Sequence, residues 1–143
     1  MKKVISLICS SLLAASAFGQ YAVPLRIPML LSANFTEFRA NHFHSGIDLK
    51  TGGAVNLPVY SIQEGYVSRI FVSPSGYGLA IYIDHPDGKT SVYGHLSRFA
   101  SAIQKYVREK QYEQESYKID IQVPKGQIPI EKGELIAYSG NSG

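Results

Sequence analysis

Residues 66–96 read Tyr66-Val67-Ser68-Arg69-Ile70-Phe71-Val72, Ser73-Pro74-Ser75-Gly76-Tyr77-Gly78, Leu79-Ala80-Ile81-Tyr82-Ile83-Asp84, His85-Pro86-Asp87-Gly88-Lys89, then Thr90-Ser91-Val92-Tyr93-Gly94-His95-Leu96. The first, third and fifth of these segments are rich in β-branched and aromatic residues and carry a period of two, the signature of strands. The segments between them are turn chemistry, and Asp87-Gly88 favours a tight hairpin with positive φ. An antiparallel meander is the economical topology.

The strand pattern continues outward on both sides. Val59 and Ser61 follow Pro58, and further runs lie at Tyr117-Lys118-Ile119-Asp120-Ile121 and Glu134-Leu135-Ile136-Ala137-Tyr138. Between them, Phe99, Ile103, Tyr106 and Val107 recur at helical spacing among helix formers, which predicts one amphipathic helix on the sheet. Tyr21 to Leu31 is apolar and contains Pro24 and Pro28, so it reads as an extended arm or edge strand. The fold class that follows is mainly β: an antiparallel sheet forming an open, barrel-like sandwich, with one helical insertion at about 100–116.

A chain of 143 residues has room for one domain with a modest core. Met1-Lys2-Lys3, the short apolar run from Val4 and the small residues Ala15, Ala17 and Gly19 form a signal peptide over residues 1–19. The run is shorter than the roughly 20 apolar residues that span a bilayer, so no stable membrane span is expected in the mature form. The expected organisation is a signal peptide at 1–19, an N-terminal arm at 20–37 and a β domain at 38–143.

Cys9 is the only cysteine and leaves with the signal, so a metal would have to be held by His, Asp or Glu. Removing Lys2 and Lys3 leaves 12 basic against 11 acidic residues, a net charge of +1. That balance implies no nucleic-acid partner.

Candidate chemistry gathers at Arg39-Ala40-Asn41-His42-Phe43-His44-Ser45-Gly46-Ile47-Asp48. Ser45-Gly46 allows a tight bend, so that His44 and Asp48 can converge on one cation, and an imidazole nitrogen and a carboxylate oxygen both suit zinc. Taken alone, such a pair also arises by chance. His42 could share a face with His44, or serve a structural role beside it; Arg39 and Asn41 are candidate groove residues by proximity.

Alternation along the third strand places His95 with Tyr93 and Ser91, opposite Val92 and Leu96. His95 then faces a groove if the Val92 face is the core, as a base or as a hydrogen-bonded sheet histidine. His85 reads as a solvated turn residue, and Tyr66, Tyr77, Tyr82 and Tyr93 as sheet packing, with Tyr93 also a possible groove residue.

His44-Ser45-Gly46-Ile47-Asp48, Pro58-Val59, Glu64-Gly65-Tyr66-Val67, Gly76-Tyr77-Gly78, Tyr93-Gly94-His95-Leu96 and the run from Lys132 to Gly143 together resemble the lysostaphin-type (LytM-like) zinc metalloendopeptidases. The resemblance implies that His44 and Asp48 are zinc ligands and that His95 is catalytic without binding the metal. It implies a Zn²⁺ cofactor, peptidoglycan peptides as partners, and export to the periplasm or cell envelope.

In that family a further strand after the Gly-Asn-Ser/Thr-Gly turn supplies a His-x-His pair with the third ligand. The sequence stops at Gly143, so that strand is expected beyond it, and residues 1–143 by themselves are expected to hydrolyse weakly or not at all. The implied function is zinc-dependent endopeptidase action on peptidoglycan stems or cross-links. The alternative is an inactive envelope module of the same fold that binds peptidoglycan or regulates another hydrolase; the oligomeric state is unspecified.

Overall fold

In the computed structural model, residues 21–40 and 42–142 are described; the expected signal segment at 1–19, the candidate groove residue Asn41 and Gly143 lie outside them. The elements run β1 (Leu31–Ala33), β2 (Asp48–Leu49), β3 (Pro58–Tyr60), β4 (Gly65–Val72), β5 (Leu79–Asp84), β6 (Thr90–Phe99), α1 (Ser101–Glu113), β7 (Ile119–Gln122), β8 (Pro129–Ile130) and β9 (Leu135–Ser139). The chain is mainly β, with a curled antiparallel half-barrel sheet and one helix, as the sequence pattern predicts.

The meander expected from residues 66–96 is present as β4-β5-β6, paired antiparallel throughout. The rest of the sheet is not sequential: its order is β3-β9-β6-β5-β4-β7, with β8 also on β4. The last strand, β9, therefore returns to lie between β3 and β6. That placement puts residues 139–142 beside the C-terminal half of β6, which is what brings the end of the described chain to the candidate site.

Alternation dictates the core. Val67, Ile70 and Val72 of β4, Ile81 and Ile83 of β5, and Ile119 and Ile136 are all almost completely buried. Their β-branched side chains suit a pleated surface that is covered on one face. Helix α1 covers it with Ile103 and Val107, and Phe99 at the end of β6 joins the same cluster.

The arm is held by its backbone and by Leu25: Ala22 N–H donates to Ile62 O and Tyr60 N–H to Pro24 O, while Leu25 is buried. The prolines keep it out of a helix, but it is not the extended arm or edge strand expected: it bends at residues 24–27 before β1 begins at Leu31.

The β5–β6 turn has the expected chemistry, with Gly88 at φ 80° and Lys89 N–H bonded to Asp87 Oδ1. The expectation for His85 fails there. It is 7 % exposed, with Nδ1 2.7 Å from Glu64 O and Nε2 2.8 Å from Ser91 Oγ.

A sequence window sees only a Pro-Gly turn; the β3–β4 connection folds over it and supplies the carbonyl. Gly65 is needed for that approach, since a Cβ there would stand 2.1 Å from Asp84 O. The ring thereby joins a buried hydrogen-bonded run through Ser91 and Tyr93 Oη to Ile62 N.

Carboxylates tie the strands together at the surface. Asp84 is held below the usual carboxylate range, chiefly by the Thr90 hydroxyl, with Ser68 and Tyr66 also donating. Asp120 is lowered by Arg69 across β4–β7, and Asp87 is lowered to about 2, chiefly by Lys89. A carboxylate whose folded pKa is depressed stabilises the fold above its unfolded pKa, and that contribution disappears as pH falls through the folded value.

The urea midpoint is therefore expected to decline from about pH 4, the unfolded carboxylate value, down towards about 2, where Asp87 titrates. Asp84→Asn should make that acid decline shallower. A loss of stability centred near neutral pH would contradict this assignment.

Candidate active site

Residues 31–49 form a ribbon that doubles back on itself. β1 pairs with β2, Thr36 N–H donates to His44 O, His44 N–H to Glu37 O, and Arg39 N–H to His42 O at the tip. Phe38 and Phe43 bridge across it with their rings edge to face at 5.5 Å. His44 and Asp48 thus lie on the returning limb, separated by the Ser45-Gly46 bend.

The bend brings them together: His44 Nε2 lies 3.2 Å from Asp48 Oδ1. His44 Nδ1 is 3.0 Å from Asn34 O. A carbonyl can only accept, so Nδ1 carries the proton of the neutral ring and Nε2 is left with a lone pair.

That lone pair faces a carboxylate oxygen. The two electron-rich atoms are compatible at this distance only with a positive species between them, either a proton on Nε2 or a cation. A histidine fixed through its second nitrogen to a backbone carbonyl is the usual arrangement of a metal-binding imidazole.

Arg39 Nη2 bonds the other oxygen of Asp48, orienting the carboxylate so that Oδ1 is turned to His44. His42 is exposed at the ribbon tip, where its carbonyl receives Arg39 N–H.

His95 reaches the same region from the sheet by a route that alternation misplaces. Tyr93 and Leu96 are buried and Val92 is 47 % exposed, so Tyr93 is on the core side and His95 is not on its face. The cause is a register shift on either side of β6, between Leu79 and Ile81 in one pairing and between Leu96 and Arg98 in the other. His95 sits at the irregularity with φ 55°, an uncommon backbone for a residue with a Cβ.

The bulge turns the ring outward, into a groove of about 790 Å³ lined by Asp48, Leu49, Val92, Tyr93, His95 and Asn141 among others. Asp48 and His95 share this groove. Tyr93 Oη, which accepts Ile62 N–H, is spent on the buried run beneath it.

Tyr77 is not a packing residue. It is 45 % exposed, its Oη lies 3.3 Å from Ser45 Oγ, and its ring is tilted against His95 at 6.2 Å between centroids. Its carbonyl accepts His95 N–H at 2.8 Å. Tyr77 therefore links the ribbon carrying His44 to the bulge carrying His95.

The sequence signal was its place between Gly76 and Gly78, both at positive φ, which marks a backbone shaped for something other than a strand. Ser142 is the other residue missed: its carbonyl is 2.7 Å from His95 Nδ1.

Among the described residues no group of three or more His, Cys, Asp or Glu could hold a metal ion. The described donors for a cation are the His44–Asp48 pair.

No curated protein and no solved structure matches this chain. The model of peptidase family M23 matches residues 42–112, a stretch containing His44, Asp48, Tyr77 and His95. With an imidazole–carboxylate pair on a bent ribbon and a second imidazole on β6 that shares a groove with the carboxylate, all within the matched residues, the chain belongs to peptidase family M23.

Proposed function

We propose that this peptidase is a zinc-dependent endopeptidase that cleaves the peptide stems or cross-links of peptidoglycan, and that its signal segment exports it to the periplasm or cell envelope. The observation that carries the metal reading is the His44–Asp48 corner, with Nε2 and Oδ1 3.2 Å apart and Nδ1 fixed to Asn34 O. Adjacent donors in a tetrahedral zinc shell with bonds of about 2.0–2.1 Å stand about 3.3 Å apart, so the pair fits two of the ligand positions. When bound, zinc supplies a Lewis acid for the scissile carbonyl and a water acidified towards neutral pH.

The protein's own residues do the rest. His44 and Asp48 would hold the ion, and the bond from Arg39 keeps Asp48 from rotating away. His95 has Nδ1 occupied by Ser142 O, which leaves Nε2 to take a proton from the attacking water or to donate one to the leaving amine. Tyr77 Oη and the exposed edge of the groove offer a donor and an apolar wall to an extended peptide.

Purified peptidoglycan treated with the full-length protein separates this reading from a non-catalytic envelope module. Cleavage abolished by a chelator and restored by zinc is the expected result; binding to peptidoglycan with no cleavage under any metal condition would sink the reading. A second measurement concerns the residues 1–143 alone. Zinc titrated into this chain is expected to bind weakly, with His44→Ala and Asp48→Ala each removing the binding. Tight stoichiometric uptake would mean that another group completes the site, with His42 the first to substitute.

A further inference from the structure

We infer that Ser142 is the positioning residue of His95: its main-chain carbonyl decides which ring nitrogen carries the proton, and its hydroxyl fixes that carbonyl in place. The inference rests on the reading of His95 as the proton-handling group only for its consequence, not for its evidence.

His95 is held at two points beyond its strand pairing. Its N–H donates to Tyr77 O at 2.8 Å, and its Nδ1 lies 2.7 Å from Ser142 O. The second contact fixes the neutral ring in the form with hydrogen on Nδ1, because the carbonyl has no proton to give. Free neutral histidine favours hydrogen on Nε2, so the contact opposes the intrinsic preference of the ring. Nε2 is thereby left as the basic atom.

Ser142 is built to hold its carbonyl there. Its Oγ accepts Leu79 N–H at 3.0 Å and donates to Leu96 O at 2.7 Å. Leu79 and Leu96 are register partners on β5 and β6, at the edge of the bulge that carries His95. One hydroxyl thus bridges the two strands at the point where their ladder is interrupted, and draws the backbone of residue 142 against the ring.

The glycines nearby are consistent with a docked segment. A Cβ at Gly78 would stand 2.2 Å from Ser142 Oγ and 2.5 Å from Ser142 O, and Gly78 also has φ +63°. A Cβ at Gly140 would stand 2.7 Å from Ser97 N. The segment lies flat on β6, with no side chain between.

This predicts that the tautomer of His95 depends on Ser142 and on Gly78 beneath it. The experiment is a long-range proton–nitrogen correlation spectrum of the isotope-labelled chain at mildly alkaline pH, above the ordinary range of imidazole. The wild-type protein is expected to show a pyrrole-type Nδ1 and a pyridine-type Nε2 for His95. Ser142→Ala, which removes both hydroxyl bonds, and Gly78→Ala, which displaces Ser142 without altering it, should each move the two signals towards the mixture seen in free histidine.

Ser142→Thr, which keeps a hydroxyl, should retain the wild-type pattern. His44 serves as the internal control, since Asn34 O sets its tautomer and neither variant touches that contact. Hydrogen on Nε2 of His95 in the wild type would overturn the inference, as would folded Ser142→Ala and Gly78→Ala proteins with an unchanged His95. Because the spectrum reads the ring and not catalysis, it can succeed where the peptidase reading fails, and the reverse.

Discussion

In the full-length protein, His95→Asn is expected to lower peptide-bond hydrolysis by about 10²–10⁴-fold, the usual contribution of a positioned acid–base group, with zinc binding unchanged. Asparagine is the informative replacement because of the backbone. His95 sits at φ 55°, where a β-carbon is strained and asparagine is among the residues that tolerate it best. Alanine would confound loss of the imidazole with relaxation of the bulge, whereas asparagine keeps the bulge and removes only the group that moves protons.

The test combines the cleavage rate on peptidoglycan, zinc affinity by titration and the urea midpoint. A drop in rate with affinity and midpoint preserved places His95 on the proton path. Unaltered hydrolysis in a folded His95→Asn protein would remove it from the mechanism, and a parallel loss of zinc affinity would instead make it a ligand.

The second large effect is on stability. Ile81→Ala should destabilise the fold by about 2–5 kcal/mol, the cost of deleting buried methyl groups and leaving a cavity. Ile81 is completely buried in β5, between β4 and β6, and its register partners are Ile70 and Tyr93. Neighbours drawn from two strands cannot all collapse into the space without breaking ladder hydrogen bonds, so the site relaxes poorly.

Against a total stability of about 5–15 kcal/mol this is a large fraction. The urea midpoint is expected to fall with an unchanged dependence on denaturant, while Ile81→Val, which deletes one methylene group, should cost about 0.5–1.5 kcal/mol. Equal midpoints for Ile81→Ala and wild type would mean that the β4–β5–β6 face is not the core that holds the molecule together. Because Ile81 pairs with Tyr93, two residues before His95, the alanine variant should also loosen the bulge.

Much of this molecule can be read residue by residue from the chain. Leu79–Asp84 is a strand over the same residues that alternation marks, and Asp87-Gly88 makes the turn its composition demands. Ile103 and Val107 bury the helix face that their spacing predicts. These features depend on side-chain period and local backbone preference, which lie within a few residues of one another and are written directly in the sequence.

The strands β2 and β8 are too short to carry a period, and exist only because partners lie beside them. β6 runs on to Phe99, past its alternating segment, because β9 pairs with Leu96–Phe99.

The candidate site divides along the same line. The sequence by itself determined the chemical types and their bend: an imidazole and a carboxylate flanking Ser45-Gly46, and a second imidazole on a strand. Only the tertiary structure decided what each atom can do. Asn34 O leaves Nε2 of His44 bare, Arg39 turns Asp48, and the bulge rotates His95 away from Tyr93 while Ser142 O takes its Nδ1. His85, which the sequence assigns to solvent, was buried by a connection some twenty residues earlier in the chain. The reason is physical: a hydrogen bond to a distant backbone carbonyl sets protonation and orientation, and no local pattern of side chains encodes which carbonyl will arrive.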